Sequence, residues 1–188
     1  MSGTPASIPS VTEKEKTMHA IRNVIAFLLL GLLWLGGASM AVAQAPQTDS
    51  PGGVYKVAID RNVSLEDAAQ SLKLRANALN LQLVAELPMS KQVEAVTGKP
   101  QRTITIYQFC DAVLAKDLID VNMEFAIYMP CRIALIEDAQ GQGWLVMMDV
   151  SVDAVAAEKR LPADLKARIE KVRNALIEIM QASAKGDL

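Results

Sequence analysis

Apolar and polar residues alternate along residues 103–109, the pattern of a strand with one buried face. Thr103, Ile104, Ile106, Tyr107 and Phe109 supply the β-branched and aromatic side chains that such a surface favours. Residues 54–59 and 81–87 read as strands too, the second stopped by Pro88. Residues 125–136 and 144–148 read as a fourth and fifth strand. The polar, Gly-containing turn 137–143 between them makes this pair the clearest hairpin in the chain. The period changes elsewhere. Leu65, Ala68, Ala69, Leu72, Ala76 and Leu79 recur at helical spacing behind Ser64-Leu65-Glu66-Asp67, which resembles a capping box with Asp in place of Glu. Asp111 can cap a short helix from Ala112 to about Asp120. Residues 89–101, with Gly98 and Pro100, read as a short helical turn and a loop.

Ser151 can cap a first C-terminal helical piece, and Pro162 suits the start of a second. There Leu165, Ile169, Val172, Leu176 and Ile179 step by four, three, four and three, so one apolar stripe runs along a helix of about 20 residues. Such a stripe packs on a sheet or forms a helix–helix seam between two copies. The expected fold is α+β: one domain, a mainly antiparallel sheet of about five strands flanked by helices, and a long C-terminal amphipathic helix. The expected divisions are a leader at 1–43, a tether rich in Pro, Gly, Ser and Gln at 44–53, the α+β domain at 54–157 and the C-terminal helix at 158–188.

The leader carries Arg22, the apolar run 24–35 and small residues ending in Ala41-Val42-Ala43, the order of a secretory signal with cleavage after Ala43. Its apolar run is short for a membrane span, which needs about 20 residues. Membrane contact is therefore expected only if the segment stays uncleaved. Met18 is an alternative start. The expected location is periplasmic or secreted.

The 188 residues carry 19 basic and 21 acidic side chains, a net charge of −2 that gives no electrostatic reason to expect nucleic acid. Cleavage would remove three basic and two acidic residues, leaving 16 and 19, and with them His19, the only histidine. A mature chain without imidazole has no Ser-His-Asp or Cys-His catalysis and no His-ligated zinc or haem. No nucleotide, calcium or hydrolase loop motif occurs, and no cofactor is expected.

The candidate chemistry is sulfur. Cys110 ends a strand at the start of a helix, where backbone amides favour a thiolate, and Arg132 would do the same for Cys131. The two are buried small hydrophobes, a disulfide, or a reactive dithiol. An oxidising compartment favours the disulfide, which would contribute on the order of 3 kcal/mol. Met123, Met129, Met147 and Met148 cluster around the same strands; with Cys110 and Cys131, Met129 and Met147 form a weak Cu(I) donor set, unless they are core filler. Arg132 is a charge inside a strand pattern. It faces solvent with Tyr128, pairs with Glu124 or Glu86, or binds an anionic ligand.

The motif from Ile106-Tyr107-Gln108-Phe109-Cys110-Asp111, through Ala115 and Met129-Pro130-Cys131-Arg132 with its aliphatic strand to Glu137-Asp138, and on to Gly141 and Trp144-Leu145, resembles the domain-of-unknown-function family 302. The resemblance runs from about Gly53 to Ala157. It implies a small α+β unit and homodimers, and no settled activity. Leu87-Pro88-Met89 stands where many relatives carry a histidine, and Cys110-Asp111 where many carry Asn-Pro. The functional expectation is a non-enzymatic binding or accessory domain for an unknown small ligand or partner protein. Arg132, Tyr128 and Glu86 are its candidate ligand-binding residues. The alternatives are a thiol redox or sulfur-transfer protein with Cys110 as nucleophile and Cys131 as resolving thiol, and a Cu(I) or other soft-metal carrier.

Overall fold

The computed structural model describes residues 53–187, so the leader, its Ala43 site and nearly all of the tether lie outside the described residues. Five strands form one antiparallel sheet: β1 (Val54–Ala58), β2 (Gln82–Pro88), β3 (Ile104–Cys110), β4 (Cys131–Glu137) and β5 (Gly143–Met148), in the order β1-β5-β4-β3-β2. Between and after them come α1 (Leu65–Ala78), α2 (Met89–Thr97), α3 (Ala112–Val121), a 3-10 helix (Met123–Tyr128), α4 (Val152–Lys159) and α5 (Ala163–Lys185). The described residues form a single domain of α+β type, as the sequence pattern predicts.

Strand pairing explains which side chains are buried. Tyr107 faces Ile133, Ile133 faces Met147, and Leu135 faces Leu145 across the central ladders. Direct partners share a face, so these residues and Phe109 form one apolar layer. The apolar sides of α1 and α5 cover it, through Ala68, Leu72 and Ala76 from the first and Leu176, Ile179, Met180 and Ala184 from the second. Among the described residues, no helix layer lies over the centre of the opposite face. Val54, Ile104 and Met148 on it are exposed. The stripe of α5 is thus used inside the chain: Leu165, Leu176 and Ile179 are buried.

Caps form largely where the sequence places them. Ser64 Oγ accepts from Asp67 N at 3.0 Å, and the hydroxyl donates to the Asp67 carboxylate rather than leaving that carboxylate to reach back to the cap amide, so the capping box is half made. Asp111 accepts from the amides of Val113 and Leu114, and Ser151 from that of Ala154. The hairpin turn is organised by Asp138, whose carboxylate accepts from the amides of Gln140 and Gln142 and from the Trp144 indole at 2.8 Å. That indole bond, followed by the Gln142 amide, holds the carboxyl below its ordinary range. Gly143 opens β5 because α1 and the β1 end approach closely there; a Cβ would stand 2.5 Å from Leu65 Cδ2.

Two expectations need correction. The fourth strand begins at Cys131, not at 125. Pro130 cannot donate to a ladder, and Asn122 accepts from the Glu124 amide, starting a 3-10 turn that buries Phe125. Ile127, placed on a strand face by its spacing, is exposed instead. Residues 89–97 form a full nine-residue helix rather than a turn, ended by Gly98 in the left-handed region. Among the described residues no helix is long and apolar enough to cross a membrane.

One-sided burial has a measurable consequence. Leu145→Ala empties a fully enclosed position and should cost about 2–5 kcal/mol in urea unfolding. Met148→Ala, three residues on and facing out, should cost under about 1 kcal/mol. Equal losses would contradict a sheet covered on one face.

Candidate functional site

Beyond one end of the sheet lies a second, smaller core of Leu114, Leu118, Phe125 and Leu165, flanked by Tyr128, Met129, Val155, Ile169 and Val172. It does not fill its space. A half-enclosed cavity of about 110 Å³ remains between α3, the 3-10 helix, α4, α5 and the ends of β3 and β4. Its walls are almost wholly apolar, and both cysteines line it, with Met129 and Tyr128. A second cavity of about 130 Å³ shares Tyr128, Cys131, Val150, Val152, Ile169 and Val172 with the first and opens past Arg132, Asp149 and Arg173.

The strands and caps explain how both thiols come to line one cavity. Phe109 and Cys131 are direct partners across β3 and β4, so Cys110 is one residue past that register, where β3 ends and Asp111 caps α3. Both cysteines are free thiols. Burial pushes the Cys131 thiol up to about 11, and a neighbouring Cys110 charge would push it the same way. Burial also raises the Cys110 thiol, and the Asp111 carboxylate adds to it. The lowering expected from the α3 amides and from Arg132 is outweighed, because removing a thiolate from water costs more than those dipoles and charges return here. Both thiols are held protonated at neutral pH.

The structure divides the candidate ligand residues. Tyr128 lines both cavities and Arg132 lines the outer one. Glu86 is elsewhere. It pairs with Tyr107 across β2 and β3, on the helix-covered side, where Lys73 of α1 reaches it at 3.3 Å. Arg132 pairs with Gln108, on the opposite side. Glu124, the other partner considered for Arg132, pairs with Lys159. Arg132 therefore has no carboxylate within ion-pair distance among the described residues, whereas Arg173 is gripped in bidentate fashion by Asp149, its Nη2 at 2.6 Å. Glu86 serves the core instead: with burial, its charge helps push the Tyr107 phenol up to about 12.

Of the soft-metal set, Met129 lines the inner cavity with both thiols, and the buried Met147 lines the outer one with Cys131. Met123 and Met148 are exposed. Among the described residues no three His, Cys, Asp or Glu side chains come together as a metal site. Sequence reasoning missed most of the wall: Leu114, Ala115, Leu118, Val155 and Val172 look like ordinary helix-face residues, and nothing in their spacing reports an unfilled gap.

Residues 55–183 match the family model described as Domain of unknown function DUF302. No curated protein matches the chain. Among solved structures, the crystal structure of an uncharacterized conserved protein DUF302 from Bacillus stearothermophilus is similar, with a TM-score of 0.56 at 12% identity over 69% of this chain and 96% of that one. At that identity the likeness shows a shared fold.

Thiol burial predicts slow chemistry. Iodoacetamide should alkylate Cys131 in the folded protein at least about tenfold more slowly than in urea, with Cys110 reacting first. Since the folded state keeps the Cys131 proton at a pH where the unfolded chain, with a thiol near 9.0, has lost it, stability should fall as pH rises from there through about 11. Cys131→Ala should flatten that slope; an unchanged slope would refute the assignment.

Proposed function

The chain belongs to the DUF302 family, and from that premise we propose that it is an exported, non-enzymatic binding module whose inner cavity takes a small apolar group. The observation that carries this reading is the unfilled, almost wholly apolar cavity of about 110 Å³. A ligand that enters gains contacts with a wall that offers almost no polar groups to desolvate. Since an engineered cavity of roughly 150 Å³ takes benzene, this one suits a chain of about four carbons. Protonated, half-buried thiols line it as soft apolar surface, which supports binding over nucleophilic catalysis.

Hexanol is the probe. Isothermal titration should show saturable binding of one hexanol per chain, and Ala115→Leu, which grows a side chain into the cavity, should abolish it while raising the melting temperature. Absence of hexanol binding to the wild-type chain would end this reading.

Export rests on the leader sequence, and cleavage after Ala43 should leave Gln44 first in the intact mass of protein recovered from the periplasm. A mass that retains the leader would refute cleavage. A second reading, thiol redox, draws on the shared cavity of Cys110 and Cys131. The same spectrum tests it: oxidation of both thiols to one disulfide removes two hydrogens, about 2 Da, reversed by a reductant.

A further inference from the structure

The inner cavity has one ionic side chain in its lining, Asp111, whose carboxylate accepts from the first amides of α3; the outer cavity has more. Three ionic side chains line it: Arg132, Arg173 and Asp149. Asp149 is fully engaged by Arg173, through Nε and Nη2, so this pair contributes no net charge. Arg132 remains, among the described residues, as an unpaired guanidinium at the start of β4, next in sequence to a thiol common to both cavities. The surface there has one net positive charge in a chain whose total is −2. The neighbouring side chains, Tyr128, Pro130, Val150 and Met148, bring no carboxylate to Arg132.

We propose that the ligand is a short-chain aliphatic monocarboxylate, its alkyl end in the inner cavity and its carboxylate at Arg132. This rests on the binding reading above and names the substrate class of the same site. Three features select this chemistry. One unpaired positive charge matches a monoanion. The planar guanidinium fork matches a carboxylate through two parallel hydrogen bonds. The two cavities share six residues, so one molecule can occupy both, with about four carbons inside and the head group outside. Tyr128 lies on both walls.

The experiment compares hexanoate, hexanol and hexylamine by isothermal titration at neutral pH, on the wild-type chain, Arg132→Gln and Ala115→Leu. Hexanoate should bind about tenfold more tightly than hexanol, the scale of one charged hydrogen-bonded contact, with hexylamine weakest. In Arg132→Gln the preference for hexanoate over hexanol should fall to about one. Ala115→Leu should weaken both ligands together. Hexanoate and hexanol binding equally, or a preference that survives Arg132→Gln, would overturn the carboxylate assignment and leave the apolar cavity reading standing. Failure of all three ligands on the wild-type chain would overturn both. Because Arg132 is exposed and makes no ion pair, its substitution should leave the fold intact, as circular dichroism will report.

Discussion

The structure depends on a sheet that can be buried on one side only. Tyr107, Phe109, Ile133, Leu135, Leu145 and Met147 place one apolar layer beneath α1 and α5, and every other element is positioned by that packing. Because side chains alternate, a slip of one residue in any of these strands would carry its buried set into solvent. The ladders are therefore fixed by the same residues that make the core. Arg75 of α1 and Glu178 of α5, at 2.7 Å, tie the two covering helices at the surface, a pair that contributes little beside the burial beneath it.

A mismatch of lengths then creates the site. At 23 residues, α5 is about 35 Å long, while a seven-residue strand spans about 23 Å. Its C-terminal half, from Leu176 to Ala184, lies on the sheet. Its N-terminal half overhangs, and Leu165 and Ile169 must find other cover. The α3 helix, the 3-10 turn and α4 supply it, joined to α5 by Arg168 and Asp117 at 2.6 Å. Val172 touches both cores and lines both cavities. The gap is thus the seam between a large core set by the sheet and a small one set by the overhang. Short helices with few large side chains do not close such a seam fully.

This origin explains what could be read from the sequence. The alternation of residues 103–109, the Asp111 and Ser151 caps, and the stripe of α5 are local signals tied to local structure, and they place most elements within a few residues. The segment 123–128 was misplaced because its apolar residues satisfy a period of two as well as a single anchor, Phe125, and only the Asn122 cap and Pro130 distinguish these. Cys110, Cys131, Tyr128 and Arg132 were recognisable by type and do share one region. Glu86 was not separable from them, because which face a strand residue takes depends on register with its neighbour. The bulge between Leu83 and Ala85 shifts that register within β2. A cavity is a property of how several elements fail to meet, and no single segment encodes it.

The raised thiols and the free guanidinium follow from the same placement. Cys131 is the first residue of β4 and points under the helix layer, so its sulfur is shielded and stays protonated. Arg132, one residue on, must point to the other side of the strand, away from that layer and from Glu86. Alternation alone thus sets an apolar thiol and a solvated cation side by side at the junction of the two cavities. Moving β4 by one residue would exchange them, burying a charge at a cost of several kcal/mol and exposing the sulfur. The pairing of an apolar chamber with a cationic exit is therefore as firmly specified as the core, since the register that seats Ile133 and Leu135 beneath α1 and α5 is the one that creates it.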